Sequence, residues 1–392
     1  MLLAMRQSVA RFAVLLSLCA GCGSGVDAAP TGPLGERDAA PGDLLDATGA
    51  KDSALKPPES GPPSPGDAGD PGDAGALPAP ASADATAALS PRQKLLAFLA
   101  STSGKKTLSG EHNRESSQGD FISAMRTVTG HSPALWGGDF LFEASEIQNR
   151  PNVIQRMVDG WHAGVLPSLM YHACPPTQGE SCDWDGGVLS ALTDAQWSDL
   201  TTDGGMLNQT WKSRLDAIAP YFQTLKDAGV ATLFRPHHEM NQGVFWWAGR
   251  PGLGGTAKLF QITHDYLVNV KGLDNIVWVW SVQDIWNSQD NAWDFDKYDP
   301  GDGYWDVMSL DFYDGAGYTT DKYQAMLARA GGKPIAIGEC QVLPTPAEVA
   351  AQPQWAYFMG WAELIQQNDS NAQITATYTA PTVLTADTMP GW

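Results

Sequence analysis

Two short stretches carry the residue types that do acid–base and nucleophilic chemistry. In residues 231–241 an apolar run breaks off into Arg235, His237, His238 and Glu239, and Phe245, Trp246 and Trp247 follow closely. In residues 334–340 a second apolar run ends on Glu339. Two carboxylates are the minimum equipment for cleaving a glycosidic bond. One, protonated, delivers a proton to the departing oxygen; the other, ionised, attacks the anomeric carbon, and retaining hydrolysis wants the two carboxyl groups roughly 5–5.5 Å apart. Arg235, on the face it would share with Glu239 if strand alternation held, helps keep a neighbouring carboxylate charged, and Tyr313 is placed to hydrogen-bond the nucleophile. The tryptophans suit stacking against a sugar ring.

Other chemistries fit the same residues poorly. A zinc-peptidase helix needs a second histidine four positions after His238, where this chain has Gln242, and Pro236 after an apolar run argues for a strand instead. No Gly-x-Ser-x-Gly elbow is present for serine hydrolysis. Neither a catalytic metal nor a cofactor is expected.

What must position these groups is a repeated strand–helix unit. Apolar runs end at Gly110, Asp139, His172, Glu239, Ser281, Tyr313 and Glu339, and segments of helical period such as 211–228 and 256–270 lie between them. About eight such units point to a parallel α/β architecture, a (β/α)8 TIM barrel, in which every strand end faces one rim. His112, Asp139, His172, His238, Glu239, Asp284, Tyr313, Asp314, Glu339 and Trp361 would then share that rim. For the eighth strand both Ala356–Trp361 and Ile374–Tyr378 qualify by pattern.

The 392 residues divide unevenly. Residues 1–22 read as a secretory signal peptide: Arg6 and Arg11, an apolar core from Phe12 to Leu18 too short to span a bilayer, then small residues before Cys22. That ending resembles a bacterial lipobox, with Cys22 as the lipidated residue; ordinary cleavage after Ala28 or Ala29 is the alternative. Residues 23–88 are a Pro/Ala/Gly/Asp-rich linker without apolar period, expected to be disordered. Residues 89–392 form the catalytic domain. A net charge of −20 excludes nucleic acid and anionic membrane surfaces as partners, leaving the lipid as the only membrane attachment. An exported monomer, secreted or held at the bacterial cell surface, is expected. In an oxidising compartment Cys174 and Cys182 should close a small loop by a disulfide, leaving Cys340 as a buried, inert thiol.

Arg235-Pro-x-His-Glu239-Met-Asn followed by Phe245-Trp-Trp247 resembles the acid/base segment of glycoside hydrolase family 26, chiefly bacterial β-mannanases. The resemblance runs from about residue 91 to the end and takes in Met170-Tyr-His172, Asp311-Phe-Tyr313, Lys333-Pro-Ile-Ala-Ile-Gly-Glu339 and the closing segments Trp355–Trp361 and Tyr378–Pro390. It implies a retaining barrel enzyme with Glu239 as acid/base on strand four and Glu339 as nucleophile on strand seven, and it favours Tyr357–Trp361 for strand eight. His238 would neighbour the nucleophile, His172 and Tyr313 would line the cleavage subsite, Trp361 would be the sugar platform, and Phe245 and Trp247 the rim aromatics. Arg235, Asp139, Asp284 and Trp286 complete the expected substrate-facing set. Many relatives read Gly-x-Trp-Phe-Trp-Trp after the acid/base segment; here Gln242-Gly243-Val244 stands before Phe245, so an aromatic contact is absent or supplied elsewhere, for example by Trp286. Cys340-Gln341 likewise replaces the small residue that follows the nucleophile. The implied substrate is β-1,4-mannan, cleaved internally. β-1,3-Xylan or mixed-linkage glucan are rivals within the same mechanism, and a non-catalytic glycan-binding lipoprotein is a rival from another class.

Overall fold

The computed structural model describes residues 89–113, 119–288 and 292–391. The expected signal peptide with Cys22, and the linker to residue 88, lie outside the described residues. Eight strands close on themselves: β1 (Thr107–His112), β2 (Leu135–Asp139), β3 (Leu166–Met170), β4 (Thr232–Arg235), β5 (Ile276–Gln283), β6 (Val307–Phe312), β7 (Ile335–Cys340) and β8 (Trp355–Gly360). Each pairs in parallel with its sequence neighbour, and β8 and β2 both pair with β1, so no barrel strand is left with an open edge. This is the TIM barrel expected from the alternation. A short β9 (Val383–Leu384) adds to the start of β1.

Strand interiors are buried throughout, which is why they read as continuous apolar runs rather than alternating ones. The N-terminal mouth is plugged by helix α1 (Pro91–Thr102), which starts from a Ser90/Gln93 capping box with Pro91 in its first turn. Its Leu95 and Leu99 join Leu108, Leu135, Leu166 and Leu233 in one buried cluster. Each such leucine contributes about 2 kcal/mol of burial. Arg92 fastens this plug, donating to the Ile276 carbonyl at 2.8 Å and to Asp306 at 2.6 Å. The opposite mouth is therefore the one left to polar residues.

Two sequence expectations change in detail. The run from 230 to 239 is strand only as far as Arg235, because Pro236 has no N–H for the ladder; Glu239 lies beyond the strand, in a turn. Arg235 and Glu239 therefore do not share a strand face. The segment expected as helix through Val270 is α-helical from Thr256 to Asp265 and then widens into a π turn, Tyr266–Val270. The eighth strand is the Trp355–Gly360 candidate, and Ile374–Tyr378 is helical, started by a Ser370/Gln373 capping box. Cys174 and Cys182 are bonded across the loop after β3, with Cα atoms 5.9 Å apart. Cys340 is free and buried, and burial pushes its thiol far above the ordinary value, which keeps it an unreactive thiol.

Candidate active site

Glu339 is aimed by a bulge. Between β6 and β7 the register runs Leu310 to Ile337 and then Asp311 to Glu339, so Gly338 is an extra residue on β7. Such a bulge re-aims the side chain beside it. Only glycine fits there, since a Cβ would sit 2.4 Å from Asp311 Oδ1 and 2.7 Å from Ser309 Oγ. The re-aimed carboxylate is held on both oxygens: Arg235 Nη1 donates to Oε1 at 3.0 Å and Tyr313 Oη to Oε2 at 2.7 Å. Both bonds fix the orientation of the carboxylate, as a nucleophile requires. Tyr313→Phe is expected to lower kcat about 10–100-fold, the worth of one hydrogen bond to a charged group, with folding unchanged. A Tyr313→Phe enzyme of wild-type kcat would show that the phenol does not position Glu339.

Arg235 ties three strands together. Besides Glu339 it donates to the Gly338 carbonyl at 3.2 Å, to Ser281 Oγ at 3.0 Å and to Asp311 Oδ2 at 2.7 Å. The Ser281 hydroxyl donates to the same Asp311 oxygen at 2.9 Å. Burial opposes the guanidinium charge, but Asp311 and Glu339 override it and hold Arg235 firmly protonated. Asp311 shows the opposite balance, its carboxyl pushed well above the usual range by burial, against the pull of Arg235.

Glu239 sits in a left-handed turn, φ +50°, a conformation that costs a non-glycine residue about 1 kcal/mol or more. The turn carries the carboxyl back over the barrel mouth, where oxygens of Glu239, Asp311 and Glu339 lie within 4.8 Å of one another. Burial, and after it the charges of Glu339 and Asp311, push the Glu239 carboxyl well above the ordinary value. Two acids thus stand opposed in different surroundings, one kept protonated and the other held by an arginine and a tyrosine. Three carboxylates could in principle take a cation, but the positive charge that Asp311 and Glu339 use is Arg235. The adjacent histidines do not form a chelate either. His237 points into the helix layer, bonded to Thr263 Oγ1 at 3.0 Å and pushed down to about 3 by burial, while His238 faces the mouth.

The walls are aromatic. Asp139 accepts the His172 backbone N–H at 3.1 Å and pairs with its Nδ1. Burial pushes the Asp139 carboxyl up, but the charge and hydrogen bond of His172 outweigh this and leave it below its usual value. The His172 ring meets His238 at 4.5 Å between centroids, and His238 in turn meets Phe245 at 4.8 Å. Burial drives His238 well below its normal value, so it is neutral. Phe245 stacks on Trp247 at 4.5 Å, and the Trp247 indole donates to the His238 carbonyl at 3.0 Å, locking the turn that bears Glu239. Half-buried Trp184, brought in by the disulfide loop, closes on His172 and Phe245. Across the mouth Trp361 stacks on His112 at 4.2 Å and meets His172 at 6.3 Å.

Three expected site residues make contacts apart from the two opposed carboxylates. Asp139 is buried and gives both its oxygens to His172. Asp284 is buried as well: it accepts the Tyr313 and Asp314 backbone N–H groups at 3.0 and 3.2 Å and pairs with Lys322 at 2.8 Å. Burial raises it to about 6. Its contacts fix the loop carrying Tyr313. Trp286 is 45% exposed and packs edge-on against Trp293 at 5.0 Å, forming a ledge after β5. Asp311, Ser281 and Gln242 join the site without having been expected there; for Asp311 the available signal is a carboxylate inside an apolar strand run.

A closed parallel barrel with two opposed carboxylates beyond its fourth and on its seventh strand defines a class, that of the barrel glycoside hydrolases. The family model of glycosyl hydrolase family 26 matches residues 84–388, and the chain belongs to that family. It is 30% identical over 324 residues to a mannan endo-1,4-β-mannosidase of Thermothelomyces thermophilus, covering 79% of this chain and 63% of that protein. The chain spans about half the length of two Piromyces relatives, 52% and 49%. Among solved structures, GH26A from a Muricauda species superposes with a TM-score of 0.73 at 30% identity, covering 78% of this chain and 99% of that one. A β-mannanase from a symbiotic protist of the termite Reticulitermes speratus, complexed with gluco-manno-oligosaccharide, does so with a TM-score of 0.65 at 28% identity, covering 77% and 95%.

Proposed function

We propose that this chain is an exported endo-acting β-1,4-mannanase that works by double displacement. The observation that carries the reading is that an oxygen of Glu239 and one of Glu339 lie within 4.8 Å of each other in unlike surroundings, the close approach that double displacement at one sugar requires. Glu339, oriented by Arg235 and Tyr313, attacks the anomeric carbon. The glycosidic C–O bond breaks as Glu239 gives its proton to the leaving oxygen, and a covalent glycosyl ester forms on Glu339. Glu239, now a carboxylate, takes a proton from water; the hydroxide equivalent attacks the same carbon as its bond to the Glu339 oxygen breaks, which frees the sugar, returns Glu339 to a carboxylate and leaves Glu239 protonated again. Trp361 supports the sugar from below, His172 and His238 line its edge, and Phe245 and Trp247 back the wall behind. The names of the relatives support mannan as substrate. Export rests on the pattern of residues 1–22, with Cys22 as the lipid acceptor.

Product analysis tests this. Linear mannan should yield a ladder of short oligosaccharides whose newly formed reducing ends are initially β by NMR. An initially α product would overturn retention. Release from β-1,3-xylan or mixed-linkage glucan, but not from mannan, would overturn the substrate.

A further inference from the structure

One of the residues at which this chain departs from the resembled pattern, Gln242, is buried directly against the acid/base candidate. Its side chain is not free to turn. Gln242 Oε1 accepts the Val244 backbone N–H at 3.1 Å, so Nε2 must face the other way, and there it donates to Glu239 Oε2. Its own backbone N–H donates to the Glu239 carbonyl at 3.1 Å, closing the turn that holds Glu239 at φ +50°. One residue thus grips Glu239 at the main chain and at the carboxyl. The grip leaves Glu239 Oε1 as the oxygen that carries the transferable proton.

We infer that Gln242 is a positioning residue for proton delivery, presenting Glu239 Oε1 to the leaving oxygen. This rests on Glu239 being the acid/base. The charged and titratable groups facing Glu239 are Glu339 on β7, Asp311 and Tyr313 from β6, and Arg235 at the end of β4. Against the upward push of burial and the two acids, the Gln242 amide is the hydrogen bond that favours the ionised form.

The test compares Gln242→Met in the full chain, which keeps the volume and removes the donor, with wild type. The alkaline limb of kcat/KM on mannan, which reports the acid in the free enzyme, should move up by about one pH unit. At neutral pH the loss on mannan should exceed by about tenfold the loss on a dinitrophenyl β-mannobioside, whose leaving group departs without protonation. A pH profile that superimposes on wild type, or equal losses on both substrates, overturns the inference. If the methionine variant does not fold, Gln242→Glu serves: like charge beside Glu239 should raise the limb further, and an unmoved limb counts against the role. Glu239→Ala run in parallel separates the two readings. Its loss should be far greater on mannan than on the aryl substrate; without that selectivity the acid/base assignment itself fails, whatever Gln242 does.

Discussion

Alanine at Glu339 is expected to give a folded protein whose kcat on mannan is lower by about four to six orders of magnitude, the scale of losing a covalent nucleophile. Glu239→Ala should lose a comparable factor on mannan, but recover on substrates with good leaving groups. Stability should not follow activity. The mouth holds three carboxyl groups within 4.8 Å and one guanidinium, so each acid raises the others' cost of ionisation. Removing Glu339 leaves Arg235 paired with Asp311 at 2.7 Å and removes a repulsion. Thermal midpoints of both alanine variants should therefore equal or exceed wild type, the usual sign that function is held against stability. The pH sign can be checked too. Glu239 is pushed above its unfolded value, so its ionisation costs stability as pH rises from the ordinary carboxylate range. Glu239→Ala should flatten that fall. Retained mannan turnover in either variant would end the assignment.

The barrel was legible because its strands are buried on both sides and appear as short apolar runs, each stopped by a polar or aromatic residue. The acids stood out for the same reason: Glu339 ends the apolar run of β7, and Glu239 comes just after that of β4. What stayed hidden depends on backbone detail that hydropathy does not encode. Pro236 stops β4 early and hands Glu239 to a left-handed turn, so the alternation argument linking it to Arg235 failed. Gly338 shifts the register of β7 by one residue, which no periodicity records. Asp139 and Asp284 end their runs as Glu339 does. Only coordinates reveal that the first is absorbed by His172 and the second by the loop after β6. Gln242 was visible as a departure, but its contact with Glu239 is a property of the turn.

Arg235 should be the costliest single residue to lose. It is buried, and its two terminal nitrogens serve Glu339, Asp311, Ser281 and the Gly338 carbonyl at once. Arg235→Met leaves Asp311 and Glu339 facing one another in the interior without a cation. Breaking one side of a buried ion pair costs about 3–5 kcal/mol, which for a domain of this size lowers the melting midpoint on the order of 10 °C. Mannan hydrolysis should vanish with it, since Glu339 loses half of what orients it. The penalty should depend on pH in a stated direction. Without the guanidinium, burial pushes Asp311 still further above its unfolded value, so the loss is smallest in acid and grows as pH rises. Arg235→Met/Asp311→Asn should accordingly be more stable at neutral pH than Arg235→Met alone, because the second change removes the charge that the first stranded. Arg235→Lys cannot substitute: one ammonium keeps the charge but cannot span acceptors on β5, β6 and β7 with a fixed fork. Calorimetry on the three variants decides the matter; equal midpoints for the single methionine variant and wild type would mean that the guanidinium does not carry this network.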